Sequence, residues 1–293
     1  MTSTPPEHAV HSRGPGPFIT LRIRRLPSGL YLVATSRRHR KGLPAHEVEE
    51  PAHAIRNPPA SAAAFRRVWA PGRIGWWIAV LFAIGSIQFM IGALAATWPN
   101  ASPEVLRDAG TLGWIFFVGS IFFTSAAWLQ WLEALNGDVS TALAHGPKRW
   151  KWFGWRPRNL GYLASLVQLA GTILFNFNTA DAMLPGLSWQ QQDLLIWTPN
   201  MIGSICFLVA SYLAYAEVSH GAGSFAPRSI GWWIAVINLA GSVAFQLSAL
   251  ESFVGPAPSS HQMLFWSTLW TSIGATCFLV GAYLLIPEVF DTD

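Results

Sequence analysis

The chain has 293 residues, of which 52% are hydrophobic and 12% charged. Soluble domains are normally about a quarter charged, so this balance excludes an ordinary soluble protein and points to a polytopic membrane protein with one membrane domain and a tail. Two cysteines, Cys206 and Cys277, both in apolar runs, provide no disulfide framework and no metal-ligand spacing, and the net charge of +4 conceals a strong asymmetry along the chain.

Residues 1–71 come first and are rich in Pro, Ala, His and Arg. They hold no apolar core of signal-peptide length, so no cleaved signal is expected. Their composition predicts a basic, largely disordered cytoplasmic tail. The stretch FITLRIRRLPSGLYLVATSRR differs, because Ile19, Leu21 and Ile23 alternate and Pro27-Ser28-Gly29 suggests a turn. A short β-hairpin over 18–36, or a segment resting on the membrane surface, fits this pattern. The run Arg37–Lys41, RRHRK, would hold it near anionic lipid. Nothing in the tail resembles a nucleic-acid-binding fold, and no nucleic-acid partner is expected.

Six segments then reach the ~20 apolar residues that a bilayer-crossing helix needs: Ile74–Trp98, Leu112–Leu132, Leu160–Leu184, Leu194–Ala216, Ile230–Val254 and Leu264–Ile286. They are too long for strands and lack period-two alternation, so the fold class is an all-α integral membrane protein. The stretches TWPNASPE, NGD and VGPAPSS read as loops. Every Lys and Arg except Arg107 lies in the tail through Arg73, in the loop carrying Lys148, Arg149, Lys151, Arg156 and Arg158, or in the loop carrying Arg228. Basic segments stay on the cytoplasmic side. Both termini and both basic loops are therefore expected in the cytoplasm, in a multi-pass protein of the inner, or cell, membrane.

The heptapeptide IGWWIAV occurs at Ile74–Val80 and again at Ile230–Val236. It belongs to a wider repeat. In the odd spans GSIQF at Gly85–Phe89 matches GTILF at Gly171–Phe175 and GSVAF at Gly241–Phe245. Gly75, Gly161 and Gly231 lie ten residues earlier, just after Arg73, Arg158 and Arg228; Tyr162 and Leu163 replace the two tryptophans in the middle copy. In the even spans Gly119, Gly203 and Gly274 are followed at four residues by Phe123, Phe207 and Phe278, and at fourteen by Glu133, Glu217 and Glu288. The reading is three tandem helical hairpins over 72–136, 157–218 and 228–288, related as parallel repeats, with a short cytoplasmic end over 289–293.

Small residues in mid-membrane let helices approach closely, so Gly85, Gly119, Gly171, Gly203, Gly241 and Gly274 are read as packing points, with a flexible gate as the functional alternative. An antiparallel hairpin brings Arg73 toward Glu133, Arg158 toward Glu217 and Arg228 toward Glu288. These three pairs are expected as interfacial clasps, or else as a charged gate. Trp76, Trp77, Trp232 and Trp233 suit an aromatic belt, and the aromatic and basic loop over 148–158 suits contact with anionic headgroups. Gln168 and Asn238 occupy one repeat position, held by Phe82 in the first copy; with Gln88, Asn176, Asn200 and Gln246 they form a candidate polar path or interhelical glue. Asp181 and Glu251 form a candidate outer acidic rim. Pro199, early in span four, is expected to kink its helix and free a carbonyl.

Each hairpin, with LGWIFFVGSIFF at Leu112–Phe123 preceded by a helix bearing GSIQF, resembles the small two-helix YrhK-like membrane proteins. The resemblance implies a fold element and no established activity. The sequence has no phosphate-cradling glycine loop, no His/Glu metal motif and no nucleophile elbow, so no catalytic, cofactor or metal site is expected. Three functions remain: a non-enzymatic structural or regulatory membrane protein, a small-solute or ion transporter or channel with an amide-lined path, and an intramembrane enzyme. Membrane lipid is the expected partner, alongside a possible homo-oligomer or protein partner. Amides facing a continuous cavity would favour transport; amides paired across helices in a closed bundle would favour the first.

Overall fold

A computed structural model describes residues 10–43, 45–50, 64–137, 150–256 and 260–290. Lys148 and Arg149 of the basic loop, and residues 291–293, lie outside the described residues. Among the described residues, six helices are long and apolar enough to cross a membrane: α2 (Ile74–Thr97), α3 (Ala109–Asn136), α4 (Leu160–Asp181), α5 (Trp189–Ser219), α6 (Ile230–Glu251) and α7 (His261–Val289). It is a multi-pass membrane protein. The shortest, of 22 residues, is about 33 Å long, enough for a hydrocarbon core of about 30 Å.

The even spans begin earlier and end later than hydropathy suggests. Their first turns are polar and capped: Asp108 accepts from the Thr111 amide, Ser188 forms a capping box with Gln191, and Ser260 accepts from the Met263 amide. Capping satisfies amides that have no partner within the helix, so a helix can start in polar sequence. Within α5 a π-helical turn spans Asp193–Trp197, just before Pro199. Proline lacks an N–H and crowds the carbonyl four residues back, which the wider turn accommodates. The Ile196 carbonyl in this turn accepts from Asn178 Nδ2 at 2.8 Å.

Each helix packs on its neighbours in sequence, and α7 closes the circuit against α2. The six therefore form a ring. At its middle, Phe89, Phe123, Phe175, Phe207, Phe245 and Phe278, one from each helix, are all buried. Ring centroids within each helix pair lie 5.3 Å apart for Phe89 and Phe123, 5.1 Å for Phe175 and Phe207, and 5.5 Å for Phe245 and Phe278. Contacts between pairs, such as Phe89–Phe245 and Phe123–Phe278 at 6.2 Å, join them into one aromatic layer.

The N-terminal region corrects the expectation of a largely disordered tail and adds a small sheet to the helical membrane domain. Strands β1 (Val10–Arg13), β2 (Leu21–Arg25), β3 (Tyr31–Thr35) and β4 (His46–Val48) form an antiparallel sheet in the order β1-β2-β3-β4. The hairpin expected over 18–36 is its centre, with Leu21 opposite Thr35 and Ile23 opposite Val33. Gly29, at φ 89°, makes the turn that a side chain would strain. Leu21, Ile23 and Val33 form a small core. After β3 the chain enters the short helix α1 (Ser36–Arg40), capped by Thr35.

Candidate functional site

The mouth of the ring at the tail end is built from glycine, glutamate and the tail's own cations. Glu133, Glu217 and Glu288 are 2%, 1% and 5% exposed. Each carboxylate rests on a glycine in the first turn of the adjoining helix. A Cβ on Gly75 would lie 3.3 Å from Glu133 Oε1, one on Gly161 2.7 Å from Glu217 Oε1, and one on Gly231 3.3 Å from Glu288 Oε1. A side chain at Gly161 would displace Arg40 and Glu217, and one at Gly75 or Gly231 would crowd its carboxylate.

Three buried carboxylates need counter-charge. The expected partners Arg73, Arg158 and Arg228 do not supply it. The cations come from α1 and the residue after it. Arg37 Nε and Nη2 meet Glu288 at 2.5 and 3.0 Å. Arg40 Nη1 meets Glu217 at 2.6 Å, and Ser36 Oγ donates to the same carboxylate at 2.7 Å. Lys41 Nζ lies 3.7 Å from Glu133 and 3.5 Å from Glu288. The reason for the correction is local. Asn159 and Ser229 stand at the N-caps of α4 and α6 and bind their own helices, which leaves Arg158 and Arg228 outside the first turn and exposed. Arg73 donates to the Val289 carbonyl. The run RRHRK thus meets protein carboxylates through Arg37, Arg40 and Lys41. Burial lowers the Arg37 pKa, but the charge of Glu288 and the hydrogen bond to it outweigh that and raise the value overall.

The tail is fastened again at His220, which follows α5. His220 is buried in the left-handed conformation at φ 50°, and its Nδ1 lies 2.9 Å from Thr20 Oγ1. Burial is the main cause that lowers its pKa to about 4, with Arg13 acting the same way and Glu217 opposing.

Below the charged mouth an inner cavity is lined by residues from all six helices and bounded by the aromatic layer at Phe278. It leaves about 60 Å³ for the centres of water-sized molecules, enough for a few waters. The matched residues Phe82, Gln168 and Asn238 all face it. Beyond the layer an outer cavity, again lined from all six helices, leaves about 230 Å³ and carries hydroxyls and amides but no ionisable side chain. Both cavities therefore lie on the ring axis, with the phenylalanines between them.

The amides divide between these cavities and the helix interfaces. Gln168 accepts from Gln130 at 3.2 Å and Asn176 from Thr124 at 3.0 Å, both between α3 and α4. Gln246 accepts from Ser204 at 3.1 Å, between α5 and α6. Asn200 lines the outer cavity and donates to Ser252 at 3.1 Å. The Oδ1 of Asn238 and the Oε1 of Gln88 are buried without a hydrogen-bond partner among the described residues. Asp181 and Glu251 end α4 and α6 at the outer end, half-buried and away from the cavity lining.

The six packing glycines lie at the crossings inside the three helix pairs. Added Cβ atoms would stand 3.0 Å from the Gly119 carbonyl at Gly85, 3.0 Å from the Gly203 carbonyl at Gly171, and 3.1 Å from the Gly274 carbonyl at Gly241. Added Cβ atoms on Gly119, Gly203 and Gly274 would press on Phe89, Phe175 and Phe245 at 2.9, 3.2 and 2.9 Å.

One recurring feature goes beyond the sequence reading. Trp76 and Trp232 turn inward, while Trp77 and Trp233 face out. The inward indoles donate to the Val68 and Ser224 carbonyls eight residues back, and the Tyr162 hydroxyl donates to Gly154, again eight back. The same rings meet Trp69, Phe225 and Trp155 edge-on, seven residues back. The signal was an aromatic six residues before Gly75, Gly161 and Gly231. Trp150, Trp152, Phe153 and Trp155 of the basic loop are all exposed.

Among the described residues no group of three or more His, Cys, Asp or Glu is placed to hold a metal ion. No family model, no curated protein and no solved structure matches the chain.

Proposed function

We propose that this is a non-enzymatic membrane protein that conducts or carries a small solute and that its ring is here closed by the aromatic layer. The observation that carries the reading is the pair of cavities on one axis, each with polar side chains set among apolar ones, separated by a single layer of phenylalanine side chains. A bundle serving only as a scaffold gains most from a continuous apolar core, because buried polar groups without partners are costly. Here Asn238 borders the inner cavity and keeps a buried oxygen, packed against Gly281, that has no hydrogen-bond partner among the described residues.

The same proposal includes three tandem hairpins with both termini and the charged mouth on the cytoplasmic side of the cell membrane. The threefold recurrence of the Gly–Gly crossing, the Glu–Gly contact and the ring-to-carbonyl bond supports it, as does the distribution of Lys and Arg. The unit's likeness to YrhK-like proteins fits a hairpin duplicated within one chain. The exposed aromatics at 150–155 suit contact with anionic headgroups.

A second reading, a structural or regulatory membrane protein, draws support from Gln168, Asn176 and Gln246, which are paired across helices, and from Asn200, which bonds Ser252 at the end of α6. Liposome flux separates the two. Phe245 touches four other members of the layer, so Phe245→Ala, combined with Arg37→Ala and Arg40→Ala to free the mouth, should raise water or small-solute permeability above that of the parent protein. Phe245→Leu provides a milder version should the alanine variant not assemble. Permeability at the empty-liposome level in a folded, reconstituted variant would favour the structural reading.

A further inference from the structure

The outer cavity shows a chemical bias that identifies what it would hold. Its hydroxyl protons are already committed. Thr179 donates to the Phe175 carbonyl at 2.8 Å, Ser252 to Ala249 at 3.0 Å, Ser267 to Ser248 at 3.2 Å, and Thr268 and Thr271 to Leu264 and Ser267, each at 3.0 Å. The two amides are oriented by the same logic. The Ile196 carbonyl can only accept, so Asn178 presents its nitrogen there. Ser252 has given its proton to Ala249, so Asn200 must donate to it. Neither amide oxygen accepts a hydrogen bond among the described residues. One N–H of each amide is also uncommitted, but against the lone pairs of the amide and hydroxyl oxygens these are few, so the cavity presents more acceptors than free donors.

Its remaining walls add two preferences. Phe89, Phe175 and Phe245 form the inner boundary, and aromatic faces attract cations. Ala93, Ala182 and Ile196 supply apolar surface. Asp181 and Glu251 each adjoin a lining residue in sequence, at Ala182 and Ser252, and place negative charge at the outer end without entering the cavity.

We propose that the outer cavity is a binding site for a small organic ammonium ion, with an N–H-bearing head on the Asn178, Asn200 and hydroxyl oxygens and a short apolar body against the rings and alanines. The proposal names a ligand class for the axis suggested above, but occupancy does not require the path to open. A negative flux assay would leave it standing, and failed binding would leave the conduit reading standing.

Three probes of similar size test it by isothermal titration calorimetry on the full chain in nanodiscs. n-Butylammonium has both charge and N–H donors, n-butanol has no charge, and tetramethylammonium has no N–H. The expected order is n-butylammonium tightest, with the other two at least about tenfold weaker, the scale of one lost hydrogen bond to a charged group. Asn178→Leu should weaken n-butylammonium by a similar factor. Thr268→Val, a near-isosteric change in the same wall, should weaken it less and serves if the asparagine variant does not assemble. Equal binding of all three probes, an unaltered affinity in the folded variants, or no binding of n-butylammonium at millimolar concentration would overturn the proposal.

Discussion

The two ends of the ring use polar chemistry in opposite ways. At the tail end, charge is concentrated, buried and neutralised inside the chain, with three glutamates facing Arg37, Arg40 and Lys41. At the outer end the cavity is larger than the inner one, and its polar groups are uncharged hydroxyls and amides. The difference shows where energy is stored. A buried ion pair contributes little net stability when intact, but removing one partner costs about 3–5 kcal/mol because the other charge is stranded. A hydroxyl in a helix bundle has alternative partners and costs far less to lose. The charged end is therefore suited to all-or-none closure, and the outer end to reversible occupancy.

The largest expected effect tests that contrast directly. Arg40→Ala should weaken docking of the tail by about 3–5 kcal/mol, since Glu217 would keep only the Ser36 hydroxyl. Hydrogen exchange of the β2, β3 and α1 amides would report it as faster exchange. Arg158→Ala and Arg228→Ala, at exposed positions, should change the same exchange by no more than about 0.5 kcal/mol. Equal effects at Arg40 and Arg158 would mean that the clasp runs along the hairpins after all.

Acid should loosen the same end by a different route. Docked, His220 is held neutral with a pKa of about 4; undocked, it titrates near its ordinary 6.5. Between those values the free form binds a proton that the docked form refuses, so docking weakens as pH falls. It is at full strength above about pH 6.5, declines through the window, and stops declining below about pH 4. The shift corresponds to roughly 3 kcal/mol. Tail exchange measured from pH 7 to pH 4 should accelerate, and His220→Gln should flatten this part of the profile. An unchanged slope in that variant would assign the effect to other groups.

The sequence made the helices and the glycine–phenylalanine crossings legible because both are local. Hydropathy marks a span, and Gly85, Gly171 and Gly241 recur at fixed distances from Phe89, Phe175 and Phe245. The charged mouth was half legible. Glu133, Glu217 and Glu288 stood out by repetition, but their partners lie outside the repeat, with Arg37 and Glu288 separated by 251 residues and Arg40 and Glu217 by 177. No periodicity reports such a pairing. Proximity along the hairpin pointed instead to Arg158 and Arg228, and it failed because Asn159 and Ser229 take the capping positions. The outer cavity was hidden for the opposite reason. Its hydroxyls, such as Thr179, Ser248 and Thr271, follow no shared pattern among the copies, so a search for repetition passes over them.

The smallest effect separates glue from site. Ser211 and Ser242 lie 2.7 Å apart between α5 and α6 near the inner cavity, and Ser248 and Thr271 lie 2.7 Å apart between α6 and α7 beside the outer one. Both pairs are interhelical hydroxyl bonds, for which double-mutant cycles within a bilayer average about 0.6 kcal/mol. Cycles built from Ser211→Ala with Ser242→Ala, and from Ser248→Ala with Thr271→Val, should therefore give similarly small couplings in the unliganded protein. n-Butylammonium should separate them, because only the outer pair lies where its head group would draw on the same oxygens. A coupling that changes with the ligand at Ser248–Thr271 and stays constant at Ser211–Ser242 would show that one interaction serves packing at one end and recognition at the other. Constant values at both would place the outer hydroxyls with the glue.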